Sequence, residues 1–517
     1  MASTTAQSAP KRGERFLHSV IWSWFSVIVS LFSGVLLAPY TIRKLGDEGY
    51  GVWTIIFAFL DHFWLMDLGF RSATMKYTAH YRATEQPDKV NEVLNSALIY
   101  AVSICALTIM GTVLFSKYIA GFEHVSPKYH HTFVLLIQIV GVGWASGAVF
   151  NLFSAGVEGY QRFDLTSRIW IISIAIRSFG IAAVLYLGHG LLAMGIIVLV
   201  ALGATYFLTF LAFRTIFPAL RLSPSLATFA MFRQMLSYGI HTFLAAASLQ
   251  VLNYSQPILI GHFLPAAYAG YYGMAVRLPQ YSVDLVSKVG FVTGSHSAEL
   301  AARNDVGAIA RMGIYINRYC FVLFAPVAMA LIVYGKALLR LWIKPEFAAM
   351  SAPLLPVLAI GITLGVAAQF NSSSILYGLG KHQGFAISLM VEAALCITGV
   401  YFAAPRFGLM GVAVVTSSLL VLNRGLVTSW LLCRSVHYPV GSYLAGIYLP
   451  PLAIAIPTMA GAVWMKRHWL PGNTWVQVIG GGALLASLYY GLAFFSCLQK
   501  EHRGLPINWI RQRLGMR

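Results

Sequence analysis

A polar stripe interrupts an otherwise apolar stretch of the sequence. In "RLPQYSVDLVSK", Arg277, Tyr281, Asp284 and Lys288 follow one another at spacings of four, three and four residues, which places them along one face of a helix. The planar guanidinium of an arginine can bind a phosphate through two parallel hydrogen bonds. The stripe therefore indicates either a binding surface for an anionic ligand or a ladder of ion pairs that packs this helix against a neighbour.

Ionisable residues within apolar stretches are costly, because a charge that faced lipid would cost at least about 2.5 to 3.5 kcal/mol. Nine such positions are Asp61, Asp67, Arg71, Arg177, Arg277, Asp284, Lys288, Glu392 and Arg424. We expect each of them to face a partner or a water-filled cavity. Asp61, Asp284 and Glu392 are the candidates for coupling to an ion, although burial could equally keep such a carboxyl protonated and structural.

Helix geometry separates these charges by depth. A continuous helix that enters the membrane near Gly49 and rises about 1.5 Å per residue puts Asp61 near the midplane and Arg71 near the cytoplasmic interface. Asp67 and Arg71 are four residues apart on one helix face. The pair therefore either neutralises itself at the inner interface or lines a cytoplasmic vestibule.

Two further arginines, Arg177 and Arg424, have no acid three or four residues away in sequence. Each needs an acid from another helix, such as Asp61 or Glu392, or an anionic ligand. Asn253 lies in an apolar run with other bulky polar side chains, which favours a cavity over close helix packing. With the stripe and the interfacial arginine, these residues complete the candidate substrate contacts.

The elements that position these residues must be membrane helices. Of 517 residues, 58% are hydrophobic and 10% are charged, and the mean hydropathy is +0.71, which no soluble domain of this size could hide. The net charge of +19 comes from bases in short connections between apolar runs, where they set membrane orientation. The sequence thus predicts an all-α integral membrane protein that has no nucleic-acid partner.

Fourteen apolar stretches are long enough to span the hydrocarbon layer. They lie at about 17–40, 49–70, 94–116, 132–156, 167–187, 190–212, 234–260, 267–295, 312–334, 350–377, 383–403, 408–433, 442–464 and 475–497. With the N-terminus inside, about 21 Lys and Arg residues fall in cytoplasmic segments and about 10 in external ones. We therefore expect a multi-pass protein of the cytoplasmic membrane with both termini in the cytoplasm.

An internal repeat relates the two halves at an offset of about 220 residues. Gly49 falls opposite Gly270, and "EGYQRF", with Gly159, falls opposite "YGLGKH", with Gly378. Six spans separate the matched segments, so the halves are parallel repeats that typically enclose a cleft. The predicted divisions are a cytoplasmic tail, a first lobe, a cytoplasmic linker, a second lobe, two added helices and a second tail, at 1–16, 17–213, 214–233, 234–437, 438–498 and 499–517.

Several motifs of catalysis and metal binding are absent from the sequence. It contains no GxxxxGK[ST] phosphate loop, and it has neither HExxH nor paired cysteines that would form a metal site. Its five cysteines are scattered, so we interpret them as small buried hydrophobes. The predicted external connections are short, unlike the sizeable loops of membrane enzymes that assemble glycans. We expect neither a cofactor nor a metal, and we expect a transporter rather than an enzyme.

Three segments together resemble a known family. "LAPYTIRKLGDEGYGVWTIIFAFLDHFWLMDLGFRSA", its echo "FLPAAYAGYYGMA" and "LFSAGVEGYQRFD" are similar to the polysaccharide (O-antigen type) flippase branch of the multidrug, oligosaccharidyl-lipid and polysaccharide exporter superfamily. The matching positions include Gly46, Gly49, Asp67, Gly69 and Arg162. The order and spacing of these short motifs carry the resemblance more than any single residue does.

The resemblance implies a V-shaped bundle of two pseudo-symmetric six-helix lobes, with two C-terminal helices added. It implies a flippase that moves undecaprenyl-pyrophosphate-linked oligosaccharide to the outer leaflet by alternating access, with a cationic cleft for the pyrophosphate. Such a cleft agrees with the separate interpretation of Arg277 and Lys288. Lipid II flippases of the superfamily carry charges in the first helix, whereas the first span here is rich in serine and uncharged, which argues against a peptidoglycan precursor.

Two alternatives stay open at this point. One is a cation-coupled small-molecule antiporter of the same superfamily, which should favour an acidic cavity, while here five buried bases stand against four acids. The other is a membrane polymerase or ligase of glycan assembly. The expected partners are a lipid-linked oligosaccharide and membrane lipids, with polysaccharide polymerase and chain-length proteins as further candidates.

Overall fold

The computed structural model of the chain describes residues 9–499, apart from 124, 304 and 368, together with residues 502–503. Within these helices it leaves out the side chains of 9–21, 23, 122, 241–242, 285–292, 295, 302 and 367. The described residues form helices and connecting turns and contain no strand, which confirms the all-α prediction. The ends of the two predicted cytoplasmic tails, 1–8 and 504–517, lie outside the described residues.

Sixteen α-helices make up the described part of the chain. They are α1 (Ala9–Asp61), α2 (Phe70–Ala83), α3 (Pro87–Phe122), α4 (Pro127–Gly159), α5 (Phe163–Tyr186), α6 (Leu191–Ile216), α7 (Phe229–Phe263), α8 (Ala267–Ala302), α9 (Val306–Trp342), α10 (Pro345–Ser351), α11 (Leu355–Gly361), α12 (Phe370–Gly378), α13 (Gln383–Leu419), α14 (Thr428–Ser435), α15 (Val440–His468) and α16 (Trp475–Ser496). Three short 3-10 segments and two π-helical segments, Ile362–Ala367 and Leu420–Val427, interrupt them.

Eleven helical stretches of the described residues are long and apolar enough to cross a membrane. Two of these correspond to two predicted spans each: Trp24–Asp67 overlaps most of the first and second, and Gln383–Ser435 contains the eleventh and twelfth. Kinks at Gly46 (φ 74°) and Gly408 (φ 58°) separate the members of each pair. The predicted eighth span corresponds to α8, which carries the charged stripe and is not among the eleven. The chain is thus a multi-pass membrane protein.

The predicted second span is not one continuous helix. The depths derived from a uniform rise of about 1.5 Å per residue are therefore wrong beyond Asp61. The α-helix ends at Asp61, a 3-10 segment covers His62–Asp67, and α2 starts at Phe70. Leu68 and Gly69 between them are left-handed, with φ of 46° and 83°. A Cβ atom at Gly69 would lie 2.3 Å from the carbonyl oxygen of Gly239 on α7, so backbone meets backbone at this break and only glycine fits.

The chain divides into two compact units, unit 1 (Met1–Gly270) and unit 2 (Tyr271–Arg517). In unit 1, α4 packs against α3 and α6, and α7 packs against α1, α2 and α3. In unit 2, α9 packs against α15 and α16 through an apolar core, which gives the two C-terminal helices a structural place. The domain boundaries taken from the sequence repeat stay a prediction.

The predicted linker is held by α3 within unit 1. The side chain of Asn91 accepts a hydrogen bond from the backbone N–H of Arg221 (2.8 Å), and that of Asn95 accepts one from Ser223 (2.9 Å). Thr228 then caps α7 by accepting from the backbone N–H of Met231 (3.2 Å). The connection between α6 and α7 is therefore a fixed part of unit 1.

One glycine contact recurs in both units. Gly159 ends α4, and a Cβ atom there would lie 2.9 Å from the carbonyl oxygen of Met75 on α2. Gly378 ends α12, and a Cβ atom there would lie 2.2 Å from the carbonyl oxygen of Gly294 on α8. The glycines and their contacts are the same 219 residues apart in sequence, so the repeat noticed in the sequence reappears as a repeated packing contact.

Candidate functional site

The predicted stripe on α8 brings its described members together in unit 2. The guanidinium carbon of Arg277 lies 4.8 Å from the centre of the Tyr281 ring, and its Nη2 lies 3.8 Å from Oδ2 of Asp284. The side chain of Arg277 is 50% exposed. The side chain of Lys288 lies outside the described residues. Because the ion pair is long and half-exposed, it holds the arginine loosely.

The packing of α8 within unit 2 explains why the stripe is open. Near the start of α8, the hydroxyl of Tyr272 donates to Oγ1 of Thr416 on α13 (3.3 Å). Near its end, Thr293 donates to Oδ1 of Asn371 on α12 (3.0 Å). Between these anchors, Val283 packs into an apolar cluster with residues of the two π-helical segments. The helix is therefore fixed at both ends and on its apolar face, while Arg277 stays accessible.

A second candidate site surrounds Asp61 at the end of α1 in unit 1. Trp144 on α4 and Tyr254 on α7 hydrogen-bond its carboxylate, and Arg177 on α5 interacts with it electrostatically. The side-chain amide of Gln250 also donates to the backbone carbonyl of Asp61. One carboxylate therefore ties four helices of unit 1 together, and Asp61 is the acid that Arg177 needed from another helix.

A histidine extends this polar cluster. His62 follows Asp61 in the 3-10 segment, and its Nδ1 lies 2.7 Å from the carbonyl oxygen of Ala58. Its Nε2 lies 3.2 Å from the hydroxyl of Ser255 on α7. Asn253, predicted as a substrate contact, is exposed on α7. The broken helix thus places two titratable side chains side by side against α7.

The third candidate site is a buried ion pair in unit 2. Glu392 on α13 is 1% exposed, and its Oε2 lies 3.3 Å from Nε of Arg424. Asn423 donates to the same oxygen at 2.7 Å. Both partners lie in the π-helical segment Leu420–Val427, a distortion that is frequent at functional sites. Arg424 therefore has an acidic partner within the protein, which leaves less of its positive charge for an anionic ligand.

Arg71 has a different partner from the one expected. Neutralisation of Asp67 by Arg71 was one of two interpretations of their spacing, and the structure shows no close side-chain ion pair between them: the carboxylate of Asp67 accepts a hydrogen bond from the backbone N–H of Arg71 (3.2 Å) in the first turn of α2. The guanidinium of Arg71 instead binds both oxygens of Glu158 on α4, at 2.6 and 2.8 Å. The left-handed Leu68 and Gly69 turn the chain between the two residues and redirect the arginine.

Sequence reasoning missed Glu158 and Trp144 as partners of the predicted residues. Glu158 lies in the segment "EGYQRF", so its repeated motif was a signal that the segment mattered. Its partner is 87 residues away in sequence, which helix spacing alone cannot reveal. Trp144 lies in the glycine-rich part of α4 and gave no signal beyond helix packing.

Eleven described helical stretches long enough to cross a membrane, arranged in two units, define the class of this chain as an all-helical, multi-pass membrane protein. A family described as polysaccharide biosynthesis protein matches residues 16–287, and the chain belongs to that family. This match confirms the resemblance stated from the motifs.

Known membrane proteins and solved structures are similar to this chain. The chain is 19% identical to a putative O-antigen transporter of Shigella flexneri, over 81% of the chain and 98% of the relative. It is 20% identical to an uncharacterized membrane protein, EpsK, of Bacillus subtilis (strain 168), over 94% and 96%. The structure of the lipid II flippase MurJ in an inward closed conformation has a TM-score of 0.71 at 15% identity, covering 93% of this chain and 99% of that one. A multidrug resistance MATE family transporter has a TM-score of 0.69 at 11% identity, covering 81% and 95%.

Proposed function

We propose that this protein is a flippase that moves undecaprenyl-pyrophosphate-linked oligosaccharide across the cytoplasmic membrane by alternating access. The observation that carries the proposal is the half-exposed Arg277 of α8, held loosely by Asp284 beside the Tyr281 ring. A guanidinium can exchange this long contact for the two oxygens of a pyrophosphate. The similarity to a putative O-antigen transporter supports an oligosaccharide linked to a lipid as the cargo.

The residues of the stripe would divide the recognition between them. Arg277 would bind the pyrophosphate, and Tyr281 would offer its ring or hydroxyl to the first sugar. Lys288 and Asn253 would supply further polar contacts. Arg71, Arg177 and Arg424 each meet an acid in the structure, so we place them behind Arg277 as substrate contacts.

Asp61 is our first choice for coupling transport to an ion gradient. The neighbours of its carboxylate are two neutral hydrogen-bond donors and one arginine. A proton or a cation could therefore replace the arginine as its partner. Glu392 is held by Arg424 and Asn423, and Asp284 by Arg277, so these rank second and third. We place both termini in the cytoplasm because more bases fall in the segments on that side.

The test is flipping of a fluorescent prenyl-pyrophosphate oligosaccharide in proteoliposomes that contain the wild type, Arg277→Ala or Arg277→Lys. We expect Arg277→Ala to lower the flipping rate at least about tenfold, since each lost charge-assisted hydrogen bond contributes about 1.5–3 kcal/mol. Arg277→Lys should restore part of the rate, because a lysine keeps the charge and loses the planar fork.

Arg406→Ala is the matched control. Arg406 is exposed in the same unit and lies 5.7 Å from the Phe402 ring, so its loss removes a similar cation–π contact outside the stripe. Equal losses for Arg277→Ala and Arg406→Ala would contradict the role of Arg277. A wild type that moves no lipid under any ion gradient but exports soluble cations would favour the antiporter, and one that forms a glycan product would favour the enzyme.

A further inference from the structure

Glu123 is a buried acid that belongs to none of these sites. It follows α3 directly, where its backbone N–H donates to the carbonyl oxygen of Ile119 (3.2 Å). The residue is 3% exposed, and both of its carboxyl oxygens are buried without a hydrogen-bond partner. Buried polar atoms are nearly always paired, so a carboxyl with two unpaired oxygens needs an explanation.

The carboxyl group of Glu123 lies between two other helices of unit 1. A Cβ atom at Gly261, near the end of α7, would lie 2.2 Å from Oε2 of Glu123 and 2.5 Å from Cδ1 of Ile55 on α1. Only a glycine therefore leaves room for the carboxyl and the isoleucine together. The side chain therefore lies in a tight contact of α1, the end of α3 and α7.

Among the described residues, no charge compensates the carboxyl. On the described parts of the adjoining elements, the titratable side chains near Glu123, Ile55 and Gly261 in sequence include Lys117, Lys128, Glu48, Asp61, His62 and His262. None of these described groups contributes to the titration of Glu123: burial alone raises its pKa from 4.5 to about 9. An ionised carboxylate without a partner is strongly disfavoured in such a place, so the group carries a proton at neutral pH.

We propose that Glu123 is a proton-binding site that keeps the ends of α3 and α7 packed against α1 while it is protonated and releases this contact when it ionises. On ionisation the O–H bond breaks, its electron pair stays on the carboxylate and the proton passes to water. The carboxylate then needs hydration, which the contact with Gly261 and Ile55 excludes. The helix ends must therefore separate before or as the proton leaves.

This proposal goes beyond the proposed function and rests on unit 1 alone. It concerns a different carboxyl from Asp61, Glu392 and Asp284, all of which have polar or charged partners in the structure. Its test therefore uses stability and accessibility as readouts. A failure of the flipping assay would leave the test of Glu123 unaffected.

The first measurement is thermal unfolding of the purified full chain in detergent between pH 5 and pH 10, with the wild type and Glu123→Gln. A folded-state pKa above the unfolded value contributes stability below the unfolded pKa, which is lost as the pH rises through the folded pKa. The melting temperature of Glu123→Gln minus that of the wild type should therefore increase from pH 5 to pH 9 and level off above it. Glu85→Gln, at an exposed glutamate, is the matched control and should show no such rise.

The second measurement is alkylation of a reporter cysteine, Ile55→Cys, by a maleimide in the wild-type and Glu123→Gln backgrounds. Ile55 is fully buried, so labelling reports separation of the helix ends. With a pKa of about 9, the ionised fraction rises from about one in a hundred at pH 7 to about a half at pH 9. The labelling rate relative to Glu123→Gln should rise at least about tenfold over that range.

Two results would overturn the proposal. One is an unfolding profile in which Glu123→Gln follows the wild type at every pH, and the other is equal labelling of the two backgrounds from pH 7 to pH 10. If Glu123→Gln does not fold, Glu123→Met, which has a similar volume and cannot ionise, takes its place in both measurements. If neither variant folds, the carboxyl itself is required for packing. That result also contradicts the proposal, in which the neutral side chain only has to fill the space.

Discussion

Two buried acids, Glu392 in unit 2 and Glu123 in unit 1, are surrounded in opposite ways. In unit 2, Glu392 meets Arg424 and Asn423, whereas in unit 1 Glu123 meets Ile55 and the bare backbone of Gly261. Both acids are almost completely buried. The comparison teaches that two equally buried acids can differ completely in their surroundings, since one has a cationic partner and the other has none among the described residues.

The units are nevertheless built on the same helix contact. Gly159 on α4 meets α2 in unit 1, and Gly378 on α12 meets α8 in unit 2, at equivalent positions of the repeat. The backbone framework is therefore repeated while the buried charges are not. We infer that the repeat preserves packing and that each unit acquired its own polar chemistry within it.

The largest effect is expected where a buried charge loses its partner. Arg424→Met should destabilise the protein by about 3–5 kcal/mol, because it leaves the carboxylate of Glu392 buried without a cation. The double variant Glu392→Gln with Arg424→Met should recover most of that loss, since no charge is then left behind. Both free energies can be measured by unfolding in mixed micelles.

Arg434→Met is the control for this prediction. Arg434 is an exposed arginine of α14 that lies 5.4 Å from the Trp430 ring. Its replacement removes a cation–π contact and leaves no described buried acid without a partner. A loss for Arg424→Met no greater than that for Arg434→Met would show that the pair contributes little, and unit 2 would then resemble unit 1.

A smaller effect is expected at the repeated glycine contact. Gly378→Ala should destabilise by about 1–3 kcal/mol, because the new methyl group would lie 2.2 Å from both the carbonyl oxygen of Gly294 and Oγ of Ser297. Gly159→Ala should cost less, since the nearest atoms, in Met75 and Thr78, are 2.9 Å away. The same unfolding assay measures both.

Gly461→Ala is the control for the glycine pair. Nothing lies within 4 Å of a Cβ atom at Gly461 in α15, so alanine there should stabilise its helix by about 0.5–1 kcal/mol. If Gly159→Ala destabilises the protein more than Gly378→Ala does, the contact at Gly378 in unit 2 is not the tighter of the two.

Much of the fold follows from the sequence because the length and polarity of an apolar run decide whether it can cross a membrane. The stripe of Arg277, Tyr281 and Asp284 was predictable for a similar reason, since all three residues lie on one helix and its spacing fixes which side chains meet. These are local properties, and they need no knowledge of which helices are neighbours.

What the sequence could not predict depends on contacts between helices. The break after Asp61 is stabilised by the close approach of Gly69 to Gly239 on α7, and hydrophobic periodicity carries no sign of that contact. Glu123 lies at a helix end, where predicted boundaries are least certain, and no pattern in the sequence marks it. Its burial becomes visible only when α1 and α7 are placed around it.

The smallest effect is expected at the ion pair of Arg71 and Glu158 in unit 1. Its hydrogen bonds are short, at 2.6 and 2.8 Å, but the side chain of Arg71 is 33% exposed, so water and salt weaken the attraction. Arg71→Met should therefore cost about 1 kcal/mol or less in unfolding, and the cost should fall further at high salt. A cost that approached the loss for Arg424→Met and did not change with salt would mean that this half-exposed pair stabilises unit 1 as strongly as the buried pair of Glu392 and Arg424 stabilises unit 2.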